Sequence, residues 1–178
     1  MKNLFTSALL LLSTFTVLVW SATIPNADTP LFYLVASSPS SVNLLPLRMT
    51  SGGGGGLASF LGSGTPALFY FWQGQLTAID PSGSTYRPLI DSHQDANGCQ
   101  NFGALAFVQG GSTNKCASYS SFQLQSNNQD SQLGAQLVFN YVGGFYACSS
   151  GQEVWYKINE SDGPSGCQPV NLYTVPAY

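Results

Sequence analysis

The only histidine of the chain, His93, lies between two aspartates in the stretch "IDSHQDANG", where Asp91 and Asp95 flank it. A histidine beside a carboxylate is the pattern of a general base, and the same side chains can hold a metal ion. Side chains two positions apart rarely meet, however, and turn-forming residues fill the stretch before Cys99. The chain also lacks a Gly-x-Ser-x-Gly or His-Glu-x-x-His motif. We therefore predict a solvated polar loop and no metal site.

The acidic residues could support glycoside hydrolysis if two of them faced each other across a cleft, about 5 to 9.5 Å apart. Half of them are assigned to turns, to a loop or to the region near the predicted mature N-terminus: Asp28, Asp80, Asp130 and Asp162. The remaining candidates are Asp91, Asp95, Glu153 and Glu160. Because the sequence does not pair them, we predict a protein that is not an enzyme, with a small secreted glycoside hydrolase as the second alternative.

Export is predicted from the first 22 residues, which have the pattern of a signal peptide. Lys2 is followed by an uncharged, mostly apolar run from Leu4 to Val19, and small residues stand at Ser21 and Ala22. A membrane span would need about 20 apolar residues. We expect cleavage after Ser21 or Ala22, with Val19 and Ser21 as the pair that the peptidase reads. Residues 23–178 then form a single secreted domain without a membrane span.

Four cysteines follow the predicted signal peptide: Cys99, Cys116, Cys148 and Cys167. An even number in an exported chain favours two disulfides, although four cysteines allow three pairings. We predict the sequential pairing, in which each bond closes a loop worth roughly 3 kcal/mol in the chain-entropy model. A zinc site would need closely spaced cysteines or interleaved histidines, which the chain lacks. No cofactor is expected.

Charged residues make up only 7% of the chain, against about 25% in an average soluble protein. The formal net charge is −3, and no basic cluster is available to bind phosphates, so nucleic acid is not an expected partner. Such a neutral polar surface suits neutral partners. We therefore expect cell-wall polysaccharide or other wall proteins.

Short apolar runs separated by Gly, Pro, Asn and Ser predict an all-β fold. The predicted strands are "LFYLVAS", "VNLLPLRM", "ALFYFW", "QLTAID", "TYRPLI", "GALAFVQ", "SSFQLQS", "AQLVFNYV", "EVWYKI" and "VNLYTV". Residues Ala67 to Asp80 are predicted to form one hairpin, and Ser51 to Gly64 a flexible surface loop. We expect a compact antiparallel β-sandwich or jelly roll with two disulfides, and a β-trefoil-like barrel as the alternative.

The strand "QEVWYKIN" has a period of two that separates two sets of side chains. The predicted core face carries Val154, Tyr156 and Ile158, and the predicted outer face carries Glu153, Trp155, Lys157 and Asn159. An exposed Trp155 could stack on a sugar ring, with Glu153 and Lys157 binding hydroxyl groups. The alternative is that the loop leading to Cys167 covers Trp155. Trp72 is a second candidate for contact with sugar.

Asn159-Glu160-Ser161 is an N-glycosylation sequon. The asparagine falls on the outward face at the end of the strand, directly before the turn cluster "SDGPSG". Export and surface exposure are the two conditions for glycan addition. We predict that Asn159 is glycosylated, and the alternative is an unmodified surface asparagine.

Three stretches carry a resemblance to a known family: "FYLVASSPSSVNLLPLR", "GQLTAIDPSG" and "GGFYACSSGQEVWYKINESDGPSGC". The chain resembles the fungal phialide-development cell-wall proteins, which are PhiA-like secreted glycoproteins. The matching elements are Gly74-Gln75, Asp80 to Gly83, Tyr146-Ala147-Cys148, Asn159 and Cys167. The resemblance implies a secreted or wall-associated protein without known catalysis, and it supplies no catalytic residues.

From these observations we predict a non-catalytic secreted or cell-wall-associated glycoprotein with a structural or binding role. A carbohydrate-binding module or lectin is the first alternative.

Overall fold

A computed structural model describes residues 21–52, 56–127, 132–149 and 152–178, which form an all-β fold of antiparallel strands. The strands are β1 (Phe32–Ser37), β2 (Leu47–Ser51), β3 (Leu57–Leu61), β4 (Leu68–Trp72), β5 (Gln75–Ile79), β6 (Thr85–Asp95), β7 (Gly98–Val108), β8 (Ala117–Ser118), β9 (Phe122–Gln125), β10 (Gln136–Phe139), β11 (Gly144–Cys148), β12 (Glu153–Lys157) and β13 (Gln168–Pro176). The predicted fold class is confirmed. The predicted signal peptide lies outside the described residues except for Ser21 and Ala22, and so does Asp130.

The strand pairings close into a ring that runs β1-β4-β5-β6-β7-β12-β11-β13 and returns to β1. Two long strands of this ring, β6 and β13, pair with different strands along different parts of their length. In β6, Thr85 and Tyr86 pair with β5, whereas the residues from Arg87 onward pair with β7. In the same way β13 pairs with β11 near its start and with β1 along the rest of its length. The result is a first sheet (β1, β4, β5, β9, β10) and a second sheet (β2, β3, β7, β8, β11, β12) that share β6 and β13.

The main core lies between the two sheets, where the apolar positions of the alternating strands meet. Phe69 on β4 and Phe107 on β7 are both fully buried, and their ring centroids lie 6.1 Å apart across the two sheets. The predicted hairpin from Ala67 to Asp80 is confirmed as β4 and β5. Gln73 and Gly74 join these strands with φ values of 49° and 72°, the left-handed conformations that a tight hairpin turn requires.

A second, smaller apolar cluster is formed around the buried side chains of Leu31, Tyr70 and Ala177. The segment that begins at Ala22 packs against this cluster. The Ala22 amide donates to the Ala177 carbonyl at 3.0 Å, and the Ala22 carbonyl accepts from the Leu31 amide at 2.8 Å. Trp72 is half-buried in the same cluster, so packing accounts for its position.

Both predicted disulfides are confirmed, with Cys99 bonded to Cys116 and Cys148 to Cys167. The first ties the start of β7 to the segment just before β8. The second ties the end of β11 to the residue before β13. Each bond therefore fastens the end of a strand to a neighbouring loop.

The predicted loop from Ser51 to Gly64 is wrong over its apolar part, since Leu57 to Leu61 form β3. This strand pairs with β2 along its whole length and reaches β7 and β12 as well. Ser59 is fully buried, and its hydroxyl donates to the Leu105 carbonyl at 2.6 Å. The glycine run before Leu57 concealed the strand, although β2, its partner along the whole length, lies only a few residues earlier in the chain. Residues 53–55 lie outside the described residues.

The predicted loop around His93 is also wrong, because β6 continues as a strand to Asp95. Ala96 and Asn97 form a tight turn into β7, and the Asp95 carboxylate accepts from the Asn97 amide at 2.7 Å. The stretch that suggested a loop is therefore the end of β6 followed by a two-residue hairpin turn. His93 is exposed on β6, as a solvated side chain was predicted to be.

Candidate functional site

The outer surface of the second sheet brings several predicted site residues together. On β7, Leu105 and Phe107 point into the core, so the alternate residues Phe102 and Ala104 lie on the outer side. Trp155 on β12 stands directly opposite Ala104 in the strand register. We call the outer surface around Phe102, Ala104 and Trp155, together with Asp91 and Asn114, the Trp155 face.

Trp155 is half-buried and fixed by two neighbours. Its ring centroid lies 6.4 Å from that of Phe102 with a tilt of 35° between the planes, and its Nε1 donates to the Glu153 carboxylate at 2.9 Å. The loop before Cys167 also reaches this region, since a side chain added at Gly163 would lie 2.6 Å from the Phe102 ring. The loop packs on Phe102, and Trp155 keeps part of its surface open to solvent.

Small side chains make a shallow floor beside the tryptophan. Ala58, Ala104 and Ala106 line a cavity of about 90 Å³, together with Asp91 and Ser112 among others. Alanines leave the backbone of the sheet accessible, so a flat ligand could approach it closely. The cavity itself is too small to enclose such a ligand, and contact would be made along the surface.

A polar pair lies on the other side of this floor. Asp91 on β6 is directly opposite Ala104, so Asp91, Ala104 and Trp155 form one row across three strands. Neighbouring strands lie about 4.8 Å apart, which places the Asp91 and Trp155 backbones roughly 10 Å from each other. The Asp91 carboxylate accepts from Asn114 Nδ2 at 2.7 Å.

Asn114 is held in place by its own loop, and sequence reasoning missed it. Its Nδ2 also donates to the Ser92 carbonyl at 2.8 Å, and its Oδ1 accepts from the Cys116 amide at 2.9 Å. The disulfide from Cys116 to Cys99 anchors this loop to the start of β7. The only signal in the sequence is an asparagine two residues before a cysteine, which does not indicate that it meets Asp91.

The structure corrects the predicted positions of Lys157 and Ile158. Lys157 is 1% exposed, whereas Ile158, which was expected in the core, is exposed because the strand ends at Lys157. The Lys157 ammonium donates to the Pro164 carbonyl at 2.7 Å and lies 3.4 Å from the Glu160 carbonyl. These contacts direct the side chain toward the loop that follows β12. The Lys157 ammonium group is therefore not available to a ligand on the Trp155 face.

Burial lowers the pKa of Lys157, while the negative charges of Asp162 and Glu160 act in the opposite direction. Its ammonium also lies 5.3 Å from the centroid of the Tyr146 ring, a favourable cation–π contact. The role of Lys157 is therefore to fasten the loop that follows β12.

The predicted glycosylation site lies on that fastened loop. Asn159 is exposed, and its backbone and side-chain nitrogens both donate to the Asp162 carboxylate, at 3.0 and 3.1 Å. The sequon therefore lies at the surface as predicted, but on the turn after β12 and not on the strand itself. Addition of a glycan stays a prediction.

The four candidate carboxylates are spread over three places. Asp91 and Glu153 both lie on the outer side of the second sheet, each bonded to a neighbour on the Trp155 face. Asp95 bonds to Gln100 in the β6–β7 hairpin, and Glu160 is exposed on the sequon loop. Within the described part of the chain, no three His, Cys, Asp or Glu side chains are grouped so that they could hold a metal ion.

No protein-family model matches the chain, and no curated protein or solved structure matches it significantly. In the ranges that the structure describes, no helix is long and apolar enough to cross a membrane.

Proposed function

We propose that this protein is an exported, non-catalytic glycoprotein that binds neutral cell-wall polysaccharide through the Trp155 face. The observation that supports this best is the row formed by Trp155, Ala104 and the Asp91–Asn114 pair. It combines a fixed aromatic surface, a flat floor and a polar pair on one side of a rigid sheet.

Each part of this row suits a sugar. The C–H face of a sugar ring is apolar and packs against an indole, while its hydroxyl groups need hydrogen-bond partners. The Asp91 carboxylate and Asn114 Oδ1 can accept from sugar hydroxyl groups, whereas the two hydrogens of Asn114 Nδ2 are already donated to Asp91 and to the Ser92 carbonyl. Both side chains are already oriented by hydrogen bonds, which reduces the entropy lost on binding. A neutral polysaccharide is also a suitable partner because only 7% of the residues in the chain are charged.

The proposed location is the extracellular space or the cell wall. Two disulfides in a small β domain are compatible with an extracellular protein. The predicted signal peptide, the exposed sequon at Asn159 and the resemblance to PhiA-like secreted glycoproteins support the more specific proposal.

Retention on insoluble polysaccharides tests the proposal. The purified mature protein is incubated with β-glucan, chitin and mannan, and the bound fraction is measured for the wild type, for Trp155→Ala and for Tyr178→Ala. We expect selective retention that Trp155→Ala reduces at least tenfold. An aromatic contact contributes up to about 1.5 kcal/mol in addition to the burial of apolar area, and about 1.4 kcal/mol corresponds to a tenfold change in affinity. Tyr178 is an exposed aromatic residue at the chain end and serves as the control. Retention that is equal for all three proteins would refute the role of Trp155.

Measurement of soluble sugar in the same samples separates binding from hydrolysis. Asp91 and Glu153 both lie on the outer side of the second sheet, so they are the pair of candidate carboxylates to test for hydrolysis. We expect no sugar release. Release that disappears in both Asp91→Asn and Glu153→Gln would replace the binding proposal with the hydrolase alternative.

A further inference from the structure

A cavity of about 400 Å³ lies on the first sheet, away from the Trp155 face. One side is lined by Phe71 and Gly74 of the β4–β5 hairpin, and the other by residues of and just before β9, the last strand in the sheet order. Pockets that bind small molecules have volumes of about 300 to 1,000 Å³. The cavity is therefore large enough for a ligand of modest size.

The apolar wall of the cavity is firmly held. Phe71 and Phe122 are 8% and 2% exposed and belong to the main core, and Leu124 packs against the same core. An aromatic or alkyl group would contact side chains that are already immobilised, so little conformational entropy would be lost on binding.

The polar wall is fixed as well. The Asp28 carboxylate accepts from the Gly74 amide through Oδ2 at 2.7 Å, and the Asp28 amide donates to the Phe71 carbonyl at 2.8 Å. Beside it, the Thr29 hydroxyl oxygen accepts from the Phe71 amide at 3.0 Å. These bonds attach the segment to the hairpin, and within the described residues Asp28 Oδ1 has no hydrogen-bond partner.

Asp28 is also the one charged residue among the described residues that line the cavity. A carboxylate with a free oxygen repels anions and forms its strongest hydrogen bonds with cationic donors. We propose that the cavity binds a small primary amine with an aromatic or alkyl body. The ammonium group bonds to Asp28 Oδ1, and the body packs against the three apolar side chains. This site is independent of the sugar-binding proposal, because the two lie on different sheets.

Three probes with similar bodies and different end groups test the proposal: 2-phenylethylamine, 2-phenylethanol and 3-phenylpropionate. Each is titrated into the ¹⁵N-labelled mature protein, and the amide chemical shifts are followed by NMR. Asp28 is exposed, so solvent screens its charge, and we expect the amine to bind about three- to fivefold more tightly than the alcohol and the carboxylate to bind weakest. The largest shift changes are expected at Gly74 and Leu124.

Two variants distinguish the contribution of the Asp28 charge to binding from that of the apolar wall of the cavity. Asp28→Asn keeps an oxygen that can accept from the Gly74 amide, so it should remove the preference for the amine while leaving the affinity for the alcohol. Leu124→Gln should weaken all three probes. Asp95→Asn removes an exposed charge on the second sheet and should change none of them.

Equal affinities for the three probes would overturn the proposal, and so would an amine preference that survives in Asp28→Asn. Absence of shift changes around Gly74 and Leu124 at the solubility limit of the amine would overturn it too. Because the three probes are compared on the wild-type protein, that comparison tests the proposal even if a variant fails to fold.

Discussion

Ser59 occupies the point where β7 and β12 separate to admit β3, and its replacement by alanine should destabilise the fold. The direct pairing of β7 with β12 reaches Ala104 and Trp155, and β3 lies between the two strands beyond that point. There the Ser59 hydroxyl donates to the Leu105 carbonyl at 2.6 Å and lies 3.3 Å from the Val154 carbonyl. Ser59→Ala removes this donor and leaves the backbone unchanged.

The size of the effect follows from the burial of the site. Ser59 is fully buried, so water does not replace the lost donor in the folded protein. A hydrogen bond contributes a net 0.5 to 1.5 kcal/mol, and a buried carbonyl left without a partner costs about 1 to 3 kcal/mol. We expect a loss of about 2 kcal/mol in the free energy of unfolding. For a domain of this size, that corresponds to a fall in Tm of roughly 4 to 8 °C.

Equilibrium unfolding in urea measures the change. Ser63 lies two residues beyond β3 and is exposed, so Ser63→Ala is a matched control that should stay within about 0.5 kcal/mol of the wild type. If Ser59→Ala also stayed within that range, the two carbonyls would have another partner and the reasoning would be refuted.

Three further predictions concern titration and processing. Because burial lowers the pKa of Lys157, the unfolded chain binds more protons than the folded one between the folded-state pKa and 10.5. Stability should therefore rise with pH in that window, and denaturation at several pH values should show no such gain in Lys157→Met. Burial raises the pKa of Tyr156 above 10, although its bond with the Gly143 amide acts in the opposite direction. Its contribution is complete below pH 10 and is lost as the pH rises through the folded-state pKa, so the wild type should lose its advantage over Tyr156→Phe in that range; a constant difference would contradict this. Cleavage is expected after Ser21, because the Ala22 backbone is bonded to Leu31 and Ala177, whereas the buried Ser21 hydroxyl has no partner among the described residues. Mass spectrometry of the exported protein should find Ala22 as the first residue, and a start at Thr23 would contradict that expectation.

Features set by neighbouring residues were predictable from the sequence. The alternation in "ALFYFW" and "QLTAID", with Gln73-Gly74 between them, predicted the β4–β5 hairpin because strand period and turn chemistry act within a few residues. The sequential disulfides were predictable for a related reason, since short loops bring Cys99 to Cys116 and Cys148 to Cys167.

Features set by distant residues were not predictable. One edge of β3 pairs with the neighbouring β2, but its other edge meets β7 and β12, whose residues lie about 50 to 95 positions away. The glycine run before Leu57 suggested a loop, and the long-range contacts that extend the sheet could not be read from it. The strand period of two placed Lys157 on the outer surface, but its side chain is buried under the following loop, where the Pro164 carbonyl accepts from its ammonium group. The meeting of Asn114 with Asp91 depends on a loop that the disulfide of Cys116 holds over β6.

The ring of strands has a consequence for how the chain folds during synthesis. Phe32 of β1 pairs with Pro176 of β13, so neither sheet is complete until the last strand has emerged. Contacts between such distant positions form slowly, because a long loop must close before they contribute stability. Until then β1 presents an unpaired edge, which is a site for aggregation. We expect the nascent chain to depend on protection of this edge, and the native state to appear only after β13 is released.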